Sequence, residues 1–170
     1  PGAKGMGNVQ LDVTVREQAT GYEEKTSRLV TVAATPLVLS VIPESVAFKP
    51  GLPLSHLVVT ETPDKKPADA KVAVEIYYTL GDMKSSRETR QVSTRGGKAL
   101  LKVTPPKDAI SLSLNASSDQ AYTSLAMRAG YSPSGSFIHV EQVSEGELKV
   151  GDTARFHVTA TREATRFYYE

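Results

Sequence analysis

The chain has 170 residues, of which 39% are hydrophobic, and its 20 basic and 19 acidic side chains give a net charge of +1. This composition is typical of an ordered protein of one domain or slightly more, and it excludes the one-signed field that would attract nucleic acid or anionic lipid. The sequence contains no cysteine, which excludes disulfides, a thiolate nucleophile and cysteine-bound metals, and it has no apolar run near the roughly 20 residues of a membrane-spanning helix.

Residues 1–36 predict a two-stranded hairpin and a linker. Every second residue from Val9 to Val15 is apolar, which is the period of a half-buried strand. Thr20-Gly21 then supplies turn residues, and a β-branched run over 25–32 resumes the strand pattern. Residues 33–36 predict a linker to the next segment.

Residues 37–129 carry seven strand candidates separated by turn signals, at the spacing expected of a β-sandwich. Apolar residues alternate in the first and third candidates, and Leu57 and Val59 form one apolar side of the second. Pro50-Gly51 predicts a type II turn, because proline presets φ at the second turn position and glycine accepts a positive φ at the third. The candidates are 37–42, 54–61, 71–79, 87–94, 97–104, 109–116 and 121–129.

A basic stretch lies across the fourth and fifth candidates, which we interpret as a hairpin that turns at Gly96-Gly97. We expect it to be an exposed, solubilising hairpin that protects a sheet edge, rather than a ligand patch. In the pairs Tyr77-Tyr78 and Tyr168-Tyr169, one ring should point inward and the other outward. The basic residues are Lys84, Arg87, Arg90, Arg95 and Lys98.

The chain repeats part of itself. AFKPGLPLSHLVV centres on Gly51 and ELKVGDTARFHVT centres on Gly151, a shift of 100 residues. Val9, Leu11 and Val13 map onto Ile110, Leu112 and Leu114 with a shift of 101. The interval is close to the usual size of a sandwich domain, about 100 residues.

A tandem array of sandwich modules explains both shifts. Residues 1–35 would hold the last two strands of one module, 36–131 a complete module, and 132–170 the first three strands of a third. We therefore expect the chain to be a piece of a longer polypeptide.

Two stretches resemble consecutive domains of the α2-macroglobulin superfamily, which includes complement components and thioester-containing proteins. SVIPESVAFKPGLPLSHLVVTETPDKKPADAKVAV resembles the opening of the fourth macroglobulin-like domain, with a strand, an F-x-P-G turn, a strand and a P-D-G-x-P-type turn in that order. Lys65-Lys66 stands where this last turn usually has glycine. SPSGSFIHVEQVSEGELKVGDTARFHV, followed by RFYYE, resembles the opening of the fifth domain, and 1–35 would then end the third.

The resemblance implies an all-β fold, a seven-stranded antiparallel macroglobulin-like β-sandwich similar to immunoglobulin and fibronectin type III domains, with partial flanking sandwich modules. It also implies a secreted or extracellular protein, periplasmic or on the cell surface in bacteria, whose whole molecule entraps proteases or opsonises targets. A bait region and a reactive thioester would carry that activity. The thioester motif Cys-Gly-Glu-Gln is absent from this cysteine-free sequence, and the resemblance places the bait region in a later domain.

The histidines do not have the spacing of a metal site. His56, His139 and His157 fall in three different strand candidates, without nearby clusters of histidine or carboxylate ligands. His139 and His157 could approach each other across a sheet, but the alternation around His157 predicts a side chain that faces solvent. We predict no bound metal and no cofactor.

The sequence shows no catalytic constellation either. It has no Gly-x-Ser-x-Gly elbow, and the adjacent carboxylates Glu23-Glu24 should point to opposite faces of a hairpin. Asn115 begins an N-glycosylation sequon, Asn-Ala-Ser, on the outward face of its strand, which would matter only in a eukaryotic secretory pathway. The side chains of that strand that we expect to point inward are Ile110, Leu112 and Leu114.

We therefore predict a non-catalytic scaffold fragment of an α2-macroglobulin-like protein, a protease-entrapping inhibitor or a complement-like opsonin, that provides interdomain and partner contact surface. Its expected partners are neighbouring macroglobulin-like domains and, through the whole parent protein, proteases. We expect no nucleic-acid partner and no membrane span, and the partial flanking modules could associate between copies. The alternative is an immunoglobulin-like tandem-repeat module of a bacterial surface or adhesion protein.

Overall fold

The fold is all-β, as expected, in the residues that a computed structural model describes, which are 6–33, 35–119, 121–144 and 146–163. These ranges contain strands and turns and no helix. The strands are β1 (Met6–Arg16), β2 (Glu23–Ala33), β3 (Val38–Pro43), β4 (Ala47–Phe48), β5 (Leu54–Glu61), β6 (Lys71–Leu80), β7 (Ser85–Ser93), β8 (Lys98–Val103), β9 (Ala109–Ser118), β10 (Ala121–Ala129), β11 (Ile138–Gln142) and β12 (Phe156–Ala160).

The strands from β3 to β10 form two sheets that enclose one hydrophobic core. The three-stranded sheet has the order β3-β5-β8, and the five-stranded sheet has the order β4-β10-β9-β6-β7. All pairs are antiparallel except β4 with β10, which is parallel. β4 was not predicted, because two residues are too few to show a period; the region from 37 to 129 has this short strand in addition to the seven expected.

The core consists of every second side chain on the facing surfaces of the two sheets. On β6 the expected inward residues are all buried, and at most 3% of the surface of each residue is exposed: Val72, Val74, Ile76 and Tyr78. Complete burial of an aliphatic side chain of this size contributes about 1.5–3 kcal/mol. The alternation that predicted β6 therefore also identifies a main source of its stability.

The inward face of β5 is the opposite of the one expected. Leu57 and Val59 are partly exposed on the outer surface, and the buried side chains of this strand are Leu54, His56, Val58 and Thr60. The error has a simple cause, because 57–59 is a continuous apolar run that allows either face to be inward. Contacts with the opposite sheet select the face that buries two polar residues.

The two buried polar residues of β5 differ in how their hydrogen-bonding groups are satisfied. Thr60 Oγ1 donates to the Ala68 carbonyl at 2.6 Å and lies 2.7 Å from Thr94 Oγ1. Neither ring nitrogen of His56 makes a hydrogen bond of good geometry among the described residues, although the Leu101 backbone is close enough to oppose in part the lowering of the His56 pKa by burial. His56 is therefore a buried polar group that the fold tolerates at a cost.

The turn predicted at Gly96-Gly97 is present, since the backbones of Arg95 and Lys98 exchange hydrogen bonds of 2.9 and 3.2 Å across it. The predicted pairing of the two strands is wrong, because β7 and β8 belong to different sheets. β7 pairs with β6 at the edge of the five-stranded sheet, whereas β8 pairs with β5. Gly97 makes the crossing possible: its φ is +71°, and a Cβ at this position would lie 2.5 Å from the Thr60 carbonyl oxygen. The edge position expected for the basic strand is nevertheless correct.

One expected core residue of β9 lies outside. Ile110 is 45% exposed, whereas Leu112 and Leu114 are buried as predicted. The register between β6 and β9 shifts between Thr79 and Leu80, so that Ala109 is buried in its place. A bulge of this kind reverses the side on which the adjacent residues lie.

The two turns of the sequence repeat have the same local geometry. Leu52 N donates to Lys49 O at 3.1 Å across a turn in which Gly51 has a φ of 77°. One hundred residues later, Asp152 N donates to Lys149 O at 3.0 Å and Gly151 has a φ of 98°. The predicted type II geometry at Pro50-Gly51 is therefore present, and the repeat is visible in the backbone as well as in the sequence.

Two hairpins flank the sandwich, and each forms a two-stranded sheet of its own. In the hairpin of β1 and β2, one face carries a row of exposed apolar side chains that includes Val9, Leu11 and Val13. The chain leaves the sandwich at Gly130, whose amide donates to the Phe48 carbonyl at 2.7 Å, and then forms the hairpin of β11 and β12. The third strand expected in this segment, 166–170 with Tyr168-Tyr169, lies outside the described residues.

The chain enters and leaves the sandwich at opposite ends. β3 begins with Val38 beside Glu61 and ends with Pro43 beside His56. The chain leaves beside Phe48, which follows the far end of β3. Among the described residues the two flanking hairpins do not share a sheet, so completion of one by the other within a chain is not seen there.

Candidate functional site

A row of three polar residues crosses the outer face of the three-stranded sheet at the end where β3 finishes. Glu44, just after β3, donates its amide to the Ser55 carbonyl at 3.0 Å, and Ser55 pairs with Lys102 on β8. The Glu44 side chain also accepts a hydrogen bond from Ser55 N at 3.0 Å. Lys102 points outward because its two neighbours on β8 are buried in the core. We call Glu44, Ser55 and Lys102 the polar row.

The strand β11 lies on this polar row. Lys102 Nζ donates to both carboxylate oxygens of Glu141, at 2.7 and 2.5 Å. At the other end, His139 Nδ1 lies 3.6 Å from Glu44 Oε1, which is an ion-pair distance when the imidazole is protonated. Lys49 adds a hydrogen bond of 2.6 Å from its Nζ to the Ile138 carbonyl.

These contacts show that β11 crosses the three-stranded sheet and does not extend it. His139 and Glu141 are two residues apart and therefore lie on one face of β11. His139 contacts Glu44, which follows β3, and Glu141 contacts Lys102 on β8. β3 and β8 are the two outer strands of this sheet. The hairpin of β11 and β12 is thus attached to the outside of the sandwich through polar side chains.

The two ends of the polar row differ in how well their charged and polar groups are paired. The hydrogen bond from Lys102 holds the pKa of Glu141 below its usual value, helped by the nearby His139 and His157. The side chains of Lys102 and Glu141 are 43% and 32% exposed, so solvent and salt screen their attraction. His139 is buried, and its Nε2 has no hydrogen-bond partner among the described residues.

A cleft of about 420 Å³ lies between the sandwich and β11. Glu44, Lys49 and His139 are its charged or titratable lining groups, and Pro53, Leu54 and Ile138 supply apolar walls. Lys49 and Glu44 are each engaged in the contacts described above. The cleft is therefore part of the junction, and its polar groups hold the two units together.

The three histidines occupy three separate environments. His56 is in the core, His139 is in the junction, and His157 is exposed as predicted. The register of the hairpin places Thr159 opposite His139 and Glu141 opposite His157, so the two histidines are diagonal neighbours and do not pair directly. The described ranges contain no group of three or more His, Cys, Asp or Glu residues placed to hold a metal ion.

His56 makes the stability of the sandwich depend on pH. Burial lowers the pKa of His56, although the negative charge of Glu44 partly opposes this effect. The unfolded chain therefore takes up a proton near pH 6.5 that the folded chain resists, so stability is complete above about pH 6.5 and decreases as the pH falls towards the folded pKa.

We expect the free energy of unfolding to decrease between about pH 7 and about pH 5, by no more than about 1.4 kcal/mol per pH unit for this one group. His56→Leu should remove most of this decrease, because the leucine has nothing to protonate. His157→Gln is the matched control and should keep it, since His157 is exposed. Urea unfolding at the two pH values measures the difference, and an equal decrease in His56→Leu would contradict this interpretation.

Asn115 lies on the outer face of the five-stranded sheet, as expected, next to a polar and aromatic cluster. Tyr122 donates its hydroxyl to Asn115 Oδ1 at 3.0 Å. Across the sheet, Glu75 pairs with Asn115, accepts hydrogen bonds from Tyr77 and Arg87, and has its pKa lowered by them. Use of Asn115 for glycosylation stays a prediction.

The tyrosine pair of β6 and the basic residues of β7 behave as predicted. Tyr78 is buried, while Tyr77 faces outward with Arg87 above its ring at 5.4 Å. Arg90 lies 3.5 Å from Glu88, and Arg87 pairs with Glu75, so acidic partners neutralise these cations. This edge strand is charged and exposed, which discourages pairing with other chains.

The comparisons with known proteins name no family for this chain. No family model matches it, and no curated protein matches it. Among solved structures, the sporulation control protein Spo0M from Bacillus subtilis is similar over 58% of this chain, with 12% identity and a TM-score of 0.34. This chain covers 51% of that protein, and a likeness at this level carries no argument. Separately, none of the described segments is a helix that could span a membrane.

Proposed function

We propose that this chain is a non-catalytic scaffold segment of an α2-macroglobulin-like protein. In this proposal, 36–131 is a complete macroglobulin-like domain, 1–35 ends the preceding domain and 132–170 begins the following one. The observation that carries the proposal is that β11 and β12, with the turn at Gly151 between them, repeat the opening of the sandwich and then dock on it. A following unit of the same type attached to the first is the arrangement of a tandem array.

A second observation supports the resemblance on which the family is proposed. Lys65 has a φ of 68°, a left-handed conformation that is uncommon for residues other than glycine. It is the position at which the P-D-G-x-P-type turn of the fourth macroglobulin-like domain usually has glycine. A left-handed backbone at this position is what a turn that usually has glycine there would require, which supports the proposal.

The proposed role is to connect and orient neighbouring domains. The chain passes through the sandwich from one end to the other, so modules would follow each other in a row. The parent protein would act outside the cell, on a cell surface or in a periplasm, and would contact proteases only through the whole molecule. Under a eukaryotic secretory origin, Asn115 would carry a glycan on the outer face of the sandwich.

The proposal predicts that this chain does not trap proteases. It should be incubated with trypsin at a stoichiometric ratio, followed by a large protein substrate and by a small chromogenic peptide. A trap protects the large substrate while the peptide is still cleaved, and we expect no such difference. We also expect no incorporation of methylamine, because the chain has no cysteine from which a thioester could form.

Two results would overturn the proposal. Selective protection of the large substrate would show that this segment carries an inhibitory activity of its own. Extension of the parent reading frame would test the family: a bait-type loop and Cys-Gly-Glu-Gln support it, whereas further sandwich repeats alone would favour the immunoglobulin-like array of a bacterial surface protein.

A further inference from the structure

We propose that the polar row sets the orientation of the following hairpin by the order of its charges, with Lys102 receiving Glu141 and Glu44 facing His139. This inference rests on the proposed scaffold role and adds to it how one unit is oriented on the next. Lys102 and Glu141 are the residues that determine this specificity. Their contact is the hydrogen-bonded ion pair that joins the sandwich to β11.

The order of the charges permits one placement of β11. The two ends of the polar row lie two strand spacings apart, about 10 Å, and carry opposite charges. If β11 moved by two residues towards β3, the carboxylate of Glu141 would meet that of Glu44 and lose Lys102. Like charges at contact distance are unfavourable, and the slipped arrangement would also leave Lys102 without its carboxylate.

Apolar contact does not explain where the hairpin lies. The next row of the same outer face is apolar, and it consists of Ile42, Leu57 and Leu100. Ile42 is 52% exposed and Leu100 is 66% exposed, so the hairpin leaves this row uncovered. Burial of apolar surface alone would favour a position over these side chains. The hairpin lies instead on the polar row, where its own charged residues find partners.

The absence of cysteine makes a direct test practical. Ala73→Cys on the outer face of β6 and Ala154→Cys before β12 place two spin labels on exposed positions of the two units. Pulsed electron paramagnetic resonance then gives the distribution of distances between sandwich and hairpin. We expect one narrow distribution at about 20 mM salt. At about 0.5 M we expect a broader one, because salt then limits the range of electrostatic attraction to a few ångströms.

Charge exchange separates this inference from a general effect of mutation. Lys102→Glu and Glu141→Lys should each broaden the distribution and reduce the ratio of docked to undocked molecules on the order of fivefold. The double variant carries the same pair in reverse and should recover docking, but both ends of the polar row are then acidic, so the placement two residues towards β3 is no longer disfavoured and we expect a second distance population beside the original one. Lys98→Glu is the control: it lies on the same face of β8, outside the polar row, and should change nothing.

Two outcomes would overturn the inference. One is a double variant that docks no better than the single variants, and the other is a Lys102→Glu distribution as narrow as that of the control. Circular dichroism confirms in each case that the sandwich is folded. Neither outcome bears on protease trapping, so the charge order can fail while the scaffold role stands, and the reverse also holds.

Discussion

Phe48→Ala is expected to lower the free energy of unfolding by about 3–5 kcal/mol, a large fraction of the stability of a domain of this size. Phe48 is fully buried and is one of the largest such side chains. Its removal would leave a cavity between the two sheets, because neighbouring side chains relax only partly into such a space. Urea unfolding followed by far-ultraviolet circular dichroism measures the change.

The position of Phe48 makes the expected effect larger than that of an ordinary strand residue. It lies in β4, where the chain leaves the three-stranded sheet after β3 and joins the five-stranded sheet beside β10. Its carbonyl also accepts the amide of Gly130 at the exit from the sandwich. Leu100→Ala is the control, and we expect it to cost less than about 1 kcal/mol because Leu100 is 66% exposed. Similar losses of unfolding free energy in both variants would contradict the assignment of Phe48 to the core and of Leu100 to the surface.

Removal of both flanking hairpins is expected to leave the fold of the sandwich intact. The hairpin of β1 and β2 forms a sheet of its own, and its apolar residues, such as Val9 and Leu11, are about half exposed. The hairpin of β11 and β12 is attached mainly through polar contacts that solvent screens. A chain limited to 36–131 should therefore keep the urea midpoint of the full chain to within a small shift.

The same reasoning predicts the opposite result for an isolated flank. Residues 1–35 contain a single hairpin, and a two-stranded hairpin in water is marginal at best. We expect this peptide to be unfolded by circular dichroism. A stable 1–35 peptide, or a 36–131 chain with a much lower midpoint than the full chain, would contradict the division of the chain.

The parts of the fold that local sequence determines could be predicted. The alternation from Val72 to Tyr78 specified both the strand and its buried face, because the residues between them are polar or small. Pro50-Gly51 specified its turn, because only glycine readily takes the positive φ that the turn requires. In both cases the information lies within a few residues.

The parts that depend on distant contacts could not be predicted. The run 57–59 fits either face of a strand, so its orientation depends on the opposite sheet. Gly96-Gly97 forms the tight turn that the sequence predicts, but the strands on its two sides join different sheets, and Gly97 lies against the Thr60 carbonyl. The burial of His56 follows from the first of these choices, and nothing near His56 in the sequence signals it.

The junction was predicted only as a contact between modules, without its residues. Glu44 and Lys102 are 58 residues apart, and only the pairing of β3 and β8 with β5 brings them into one row. One signal was available: His139 and Glu141 alternate with apolar residues on β11, which indicates a polar face. Identifying what that face contacts required the structure.

Hydrogen exchange of a chain limited to 36–131 tests the central claim most directly, which is that this segment is a complete module. Amides of β5, β6 and β9, which are paired on both sides, should exchange slowest and at similar rates, as expected when exchange requires global unfolding. The full chain should show the same protection in these strands and faster exchange in β1 and β2. Exchange of the 36–131 amides at the rate of an unfolded peptide would contradict the account, and the boundaries of the module would then have to be drawn elsewhere.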